Sequence, residues 1–130
     1  MTQEEKNLLL RDLCARLPYG VKVRRIVHTT DVDTIESVEL FGLGWLKEFY
    51  AGEAEFFPYL RPMSFMSEEE MKVFQAFHCV DMWHPYFYQQ MCNLPNLENM
   101  FNWLNKHHFD FRGLISKGLA LEAPEGMYND

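Results

Sequence analysis

The sequence predicts a single α+β domain: an N-terminal helix, a β-hairpin or small antiparallel sheet, and C-terminal helices packed on it. Three observations predict it. Apolar residues recur at helical spacing up to Leu17, alternate with period two from Val21, and return to helical spacing after Ser67. The whole pattern occupies 130 residues, the size of one ordinary domain with no room for a second core. A chain of that length buries roughly two thirds of its unfolded surface, so it needs no disulfide or metal staple.

The first helix opens at Thr2, whose spacing to Glu5 is that of a capping box. Glu4 and Glu5 also complement the positive end of the helix dipole. Leu9, Leu10, Leu13, Cys14 and Leu17 mark its apolar stripe, and Pro18 and Gly20 stop it. Val21, Val23 and Val27 then alternate with Lys22, Arg24 and His28, as in a half-buried strand; Ile26 breaks the pattern and suggests a bulge or the strand end. Lys22, Arg24 and Arg25 form the one dense basic cluster, which fits a solvated sheet edge. Thr30 to Asp33 is a turn candidate, and Thr34 to Phe41 is the second strand of a hairpin, with Val38 and Leu40 on one side. Asp31 and Asp33 lack the further ligands and the glycine of a calcium loop.

From Gly42 to Tyr50 the pattern fits either a helical turn or a strand, and its two glycines lack the spacing of a phosphate cradle. Glu53 to Tyr59 supplies a third strand. Pro58 and Pro62 keep the residues before them extended. Arg61 is an isolated cation among Phe56, Phe57, Tyr59, Leu60 and Met63, which requires water or a carboxylate partner, with Asp110 one candidate. Ser67 and Glu70 repeat the capping-box spacing, and Met71, Phe74 and Phe77 or His78 give the second helix its apolar side. A third helix is expected from near Asn93 or Asn96, with Pro95 in its first turn, to Lys106-His107-His108, where cations suit the last carbonyls. Asp110 would cap a short helix over 111–117 ended by Gly118; Leu119 to Ala123 would be extended, and 124–130 a loose polar tail.

Composition narrows the function classes. Aromatic residues make up 15% of the chain, enough for a core of bulky contacts or for an apolar surface meant for a partner. The formal net charge of -7 repels phosphate backbones, so nucleic-acid binding is not expected. Cys14, Cys79 and Cys92 form no CxxC pair and read as small buried hydrophobes in a reducing, cytoplasmic setting. No stretch is apolar for long enough to span a membrane.

The densest set of functional groups is the corner from Trp103 to Ile115, with His107, His108, Asp110 and Arg112. These four are the catalytic candidates: an imidazole titrates near neutrality, a carboxylate can fix its tautomer, and Arg112 could hold an anion. The structural alternative explains the same residues as a helix end, a cap and a packed corner. A metal needs three or four convergent ligands, so no metal and no cofactor is expected there. Cys79, Asp81, His84 and Cys92 likewise match no zinc spacing. The binding candidates are Arg61, and Trp45 and Trp83 on aromatic surfaces at Trp45–Tyr59 or Met82–Tyr88 that would meet a protein partner.

The segments Pro58-Tyr59-Leu60-Arg61-Pro62-Met63-Ser64, Trp103 through Ile115, and Gly118-Leu119-Ala120-Leu121-Glu122-Ala123-Pro124 resemble a family of small uncharacterised proteins. The family belongs to gut Bacteroides-type bacteria and their phages or mobile elements. The opening Leu10 to Gly20 is similar too, whereas 28–57 and 72–95 are not. The resemblance implies a bacterial or phage cytoplasmic origin and assigns no catalytic residue. The expectation is a non-enzymatic binding or accessory protein; the alternative is a small enzyme or metal-dependent protein centred on His107, His108 and Asp110.

Overall fold

A computed structural model describes residues 1–28, 34–77 and 94–128. Helix α1 (Gln3–Arg16) leads into strands β1 (Lys22–His28) and β2 (Thr34–Leu40). Then come α2 (Leu43–Ala51), β3 (Ala54–Leu60), α3 (Glu68–Phe77), α4 (Leu94–Lys106) and β4 (Leu121–Glu122). The α+β class is as the sequence predicts. The four-stranded sheet runs β2-β1-β3-β4, with antiparallel pairs on both sides of β1 and a parallel pair between β3 and β4.

Both capping boxes form. The Thr2 hydroxyl accepts from the Glu5 N–H at 3.1 Å, and the Ser67 hydroxyl accepts from the Glu70 N–H at 3.1 Å. The ambiguous 42–50 stretch resolves into α2, ended by Gly52 in the left-handed region at φ 70°. The register between β1 and β2 is unbroken from Lys22–Leu40 to His28–Thr34, so Ile26 marks neither a bulge nor a strand end. The basic strand β1 is not a sheet edge either, since it lies between β2 and β3.

One face of the sheet carries Val21, Val23, Phe41, Phe56 and Leu60, which with Leu9 and Leu13 of α1 and Phe49 of α2 make the main core. Arg25 shares this face. Its guanidinium donates to both Glu48 carboxylate oxygens at 2.8 and 2.7 Å and lies over the Trp45 ring, 4.5 Å from its centroid. A second cluster, Met100, Leu104 and Phe109, is packed by Phe74, Phe77 and Trp103.

Three expectations are corrected. Cys14 is exposed, because the buried stripe of α1 is Leu9, Asp12, Leu13 and Arg16. Residues 111–117 form successive turns in place of a helix, since Gly113 adopts φ 73° and breaks the helical path. Asp110 still caps that turn: its carboxylate accepts from the Leu114 and Ile115 N–H groups at 2.8 and 3.0 Å. Of the expected extended stretch 119–123, only Leu121–Glu122 joins the sheet. The hairpin turn with Asp31 and Asp33, the Cys79–Cys92 segment, Trp83 and the Met82–Tyr88 surface lie outside the described residues. No helix among the described residues is long and apolar enough to cross a membrane.

Candidate functional site

The corner is fastened to α1 by buried charge. Asp12 and Arg16 lie one turn apart on α1 and are both fully buried. Arg16 donates to the two Asp12 oxygens at 2.9 and 3.0 Å and to the Phe109 carbonyl at 2.6 Å. Arg112 donates to Asp12 at 2.7 Å. Arg112 is therefore committed to Asp12, where burial lowers its pKa against the pull of that carboxylate.

Arg61 continues β3 into the corner. Its N–H donates to the His108 carbonyl at 2.8 Å, and its own carbonyl accepts from the Asp110 N–H at 2.8 Å. The guanidinium makes a bidentate pair with Glu70 of α3, both contacts 2.8 Å, and lies 4.3 Å from the Phe109 ring centroid. The carboxylate partner is thus Glu70, where the sequence offered Asp110. The Arg61 hydrogen bonds hold the Glu70 pKa down to about 2.

His108 is the residue on which the corner turns. It is the one non-glycine among the described residues with positive φ, at 60°. Its ring is 4% exposed and stacks on Tyr128 with centroids 3.9 Å apart. Its Nδ1 is buried without a partner among the described residues. Burial, then the charge of Arg16, lowers the His108 pKa to about 4, so the ring is neutral at physiological pH. The Tyr19 backbone works the other way, favouring the charged imidazole.

Tyr128 closes the arrangement from the C-terminal side. Its hydroxyl donates to the Tyr59 carbonyl at 2.7 Å and accepts from the Lys22 N–H at 2.9 Å. Burial pushes its pKa up to about 12. The Lys22 ammonium donates to the Met127 carbonyl at 3.1 Å. Residues 124–128 of the expected tail are thus strapped across the sheet.

Between this strap and the corner lies an open cleft of about 780 Å³. Lys22, Arg61, Glu70, Lys106, His107 and His108 line it, with Tyr19, Phe65 and Tyr128. A second hollow of about 760 Å³ shares Arg61, Phe65 and Tyr128 and extends along Glu122 to Met127. The structure brings His107, His108 and Arg61 to one cleft. It does not bring Asp110 or Arg112 there, since both are spent on structural bonds. Trp45 is partly buried and packs against Phe56 at the margin of the core, ring centroids 6.3 Å apart. Sequence reasoning missed Lys22, Lys106 and Tyr128. The tyrosine in an otherwise polar tail was the available signal. Among the described residues no group of three His, Cys, Asp or Glu is placed to hold a metal ion.

The depressed His108 pKa has a sign that can be tested. Between pH 6.5 and about 4 the unfolded chain takes up a proton that folded His108 refuses, so stability falls as pH falls through that window. The expected loss is about 2–3 kcal/mol. Below pH 4.5, protonation of Glu70 adds a further loss down to about pH 2. Urea denaturation at stepped pH, with His108→Asn as the comparison, checks this. Asparagine tolerates the left-handed backbone, so the variant should show a shallower slope between pH 6.5 and 4, with the part due to His107 remaining. An identical slope in both proteins would exclude His108 as its source.

Comparison with protein-family models, with curated proteins and with solved structures finds no match to this chain.

Proposed function

We propose that the protein is a non-enzymatic binding protein whose working surface is the cleft at Lys22, Arg61, Lys106 and His107, and that it receives a carboxylate or phosphate group carried by a partner. The observation that carries this reading is local charge. Among the described residues, three cations line one hollow in a chain of net charge -7, against the carboxylate of Glu70, which Arg61 already pairs. His107 is pushed toward the neutral form by burial, as is His108, so neither imidazole supplies the charge. A concave surface with a few convergent polar groups and ionisable groups of perturbed pKa is the usual form of a small-ligand site. A bacterial or phage cytoplasmic setting, which the family resemblance implies, is part of the same proposal.

The test is titration of inorganic phosphate and of acetate into isotopically labelled protein, followed by NMR. Shifts should concentrate at Lys22, Lys106, His107 and Tyr128 and weaken with added salt. Lys22→Ala with Lys106→Ala should lower the affinity about tenfold, roughly 1.4 kcal/mol. Shifts scattered over the surface, or unchanged in the double variant, would refute the assignment.

A further inference from the structure

Among the described residues β2 is an edge strand, and its only guards against pairing with another chain are the charges of Glu36 and Glu39. Its seven residues include no proline, no lysine and no bulge. Val38 and Leu40 are 56% and 60% exposed on the sheet face turned away from the core. The direction of the backbone groups is fixed by the Phe41 N–H, which donates to the Val21 carbonyl at 2.9 Å. By strand alternation, Ile35, Ser37 and Glu39 direct their N–H and C=O toward β1. Glu36 and Val38, with Thr34 and Leu40, direct theirs to the open edge.

We propose that this edge pairs with the β2 strand of a second copy, antiparallel across a two-fold axis at Ser37. Only residues that both direct backbone groups outward can bond across the axis, so partner positions must sum to an even number. With the axis at Ser37, every residue of the strand is paired: Glu36 with the second copy's Val38, and Thr34 with its Leu40. Moving the axis to Val38 shortens the pairing, and placing it at Glu36 or Glu39 sets like charges face to face. With the axis at Ser37, neither glutamate opposes a glutamate, since Glu39 meets Ile35 and Glu36 meets Val38. Ser37 itself faces its own image as a non-hydrogen-bonded pair, where strands approach to about 4.5 Å and a small side chain is needed. Its hydroxyl is buried without a partner among the described residues, and its image supplies one by rotation about Cα–Cβ. The two Val38 side chains become diagonal neighbours on the outer face. The strand is thus self-complementary in length, charge and hydrogen-bond direction, which is what an isologous interface requires.

The experiment uses the whole chain and two variants. Sedimentation over a concentration series should give twice the mass of one chain for the parent protein. Val38→Pro removes one N–H directed at the open edge and none directed at β1, so its mass should halve while its circular dichroism is retained. In a Cys14→Ser background, Ser37→Cys should form an inter-chain disulfide on mild oxidation, mapped by mass spectrometry to position 37 in both chains. Glu36→Cys, which does not face its own image, should cross-link far less. A parent protein that sediments as a monomer throughout overturns the proposal, as does equal cross-linking at 36 and 37.

Discussion

Replacing Asp12 with asparagine is expected to destabilise the protein by about 3–5 kcal/mol, because it leaves the buried Arg16 and the half-buried Arg112 without their counter-charge. Arg16 and Arg112 share this one carboxylate, and the Arg16 Nη1 already lacks a partner among the described residues. Asparagine keeps the shape of the side chain, so the loss reports charge more than packing. Urea denaturation measures it, and an unchanged m-value would show that the folded state keeps its extent. Substituting Asp12, Arg16 and Arg112 together by apolar residues of similar volume should recover much of the loss, since a missing pair costs far less than a broken one. A loss under about 1 kcal/mol in the single variant would falsify the triad as a stabilising unit.

Phe109→Ala is the second large effect, again about 3–5 kcal/mol. The ring is fully buried, stacks on Trp103 with centroids 5.7 Å apart, and supports the Arg61 guanidinium from beneath. Loss of the ring leaves a cavity in the second cluster and frees Arg61 to move away from the cleft. Phosphate binding by the folded variant should therefore weaken as well. Phe109→Leu should cost about half as much, because it fills most of the cavity. Thermal and urea unfolding compare the two, and equal costs would mean that the site does not depend on ring volume.

How far the sequence was legible follows from the range of the forces involved. The capping boxes at Thr2 and Ser67 and the stop at Gly20 depend on neighbours a few residues away, and all three were readable. So was the alternation of Val21 and Val23, which a half-buried strand imposes directly. Asp12 and Arg16 were hidden for the opposite reason. Read locally they look like an exposed helical ion pair; what buries them is Phe109 and Arg112, far along the chain. The choice of Glu70 over Asp110 for Arg61 had the same origin, since backbone donors claimed Asp110 first. The candidate corner was found, but half of its expected groups serve the scaffold. The cleft is completed by Lys22 and Tyr128, 106 residues apart, which no local pattern connects.

The bond from Arg16 to the Phe109 carbonyl spans 93 positions. A ribosome makes the helix long before it makes the acceptor, so the guanidinium stays hydrated through most of synthesis. The helix is locked by a segment made 93 positions later, and a nascent chain halted short of Phe109 exposes the polar ridge of that helix to whatever waits at the exit tunnel.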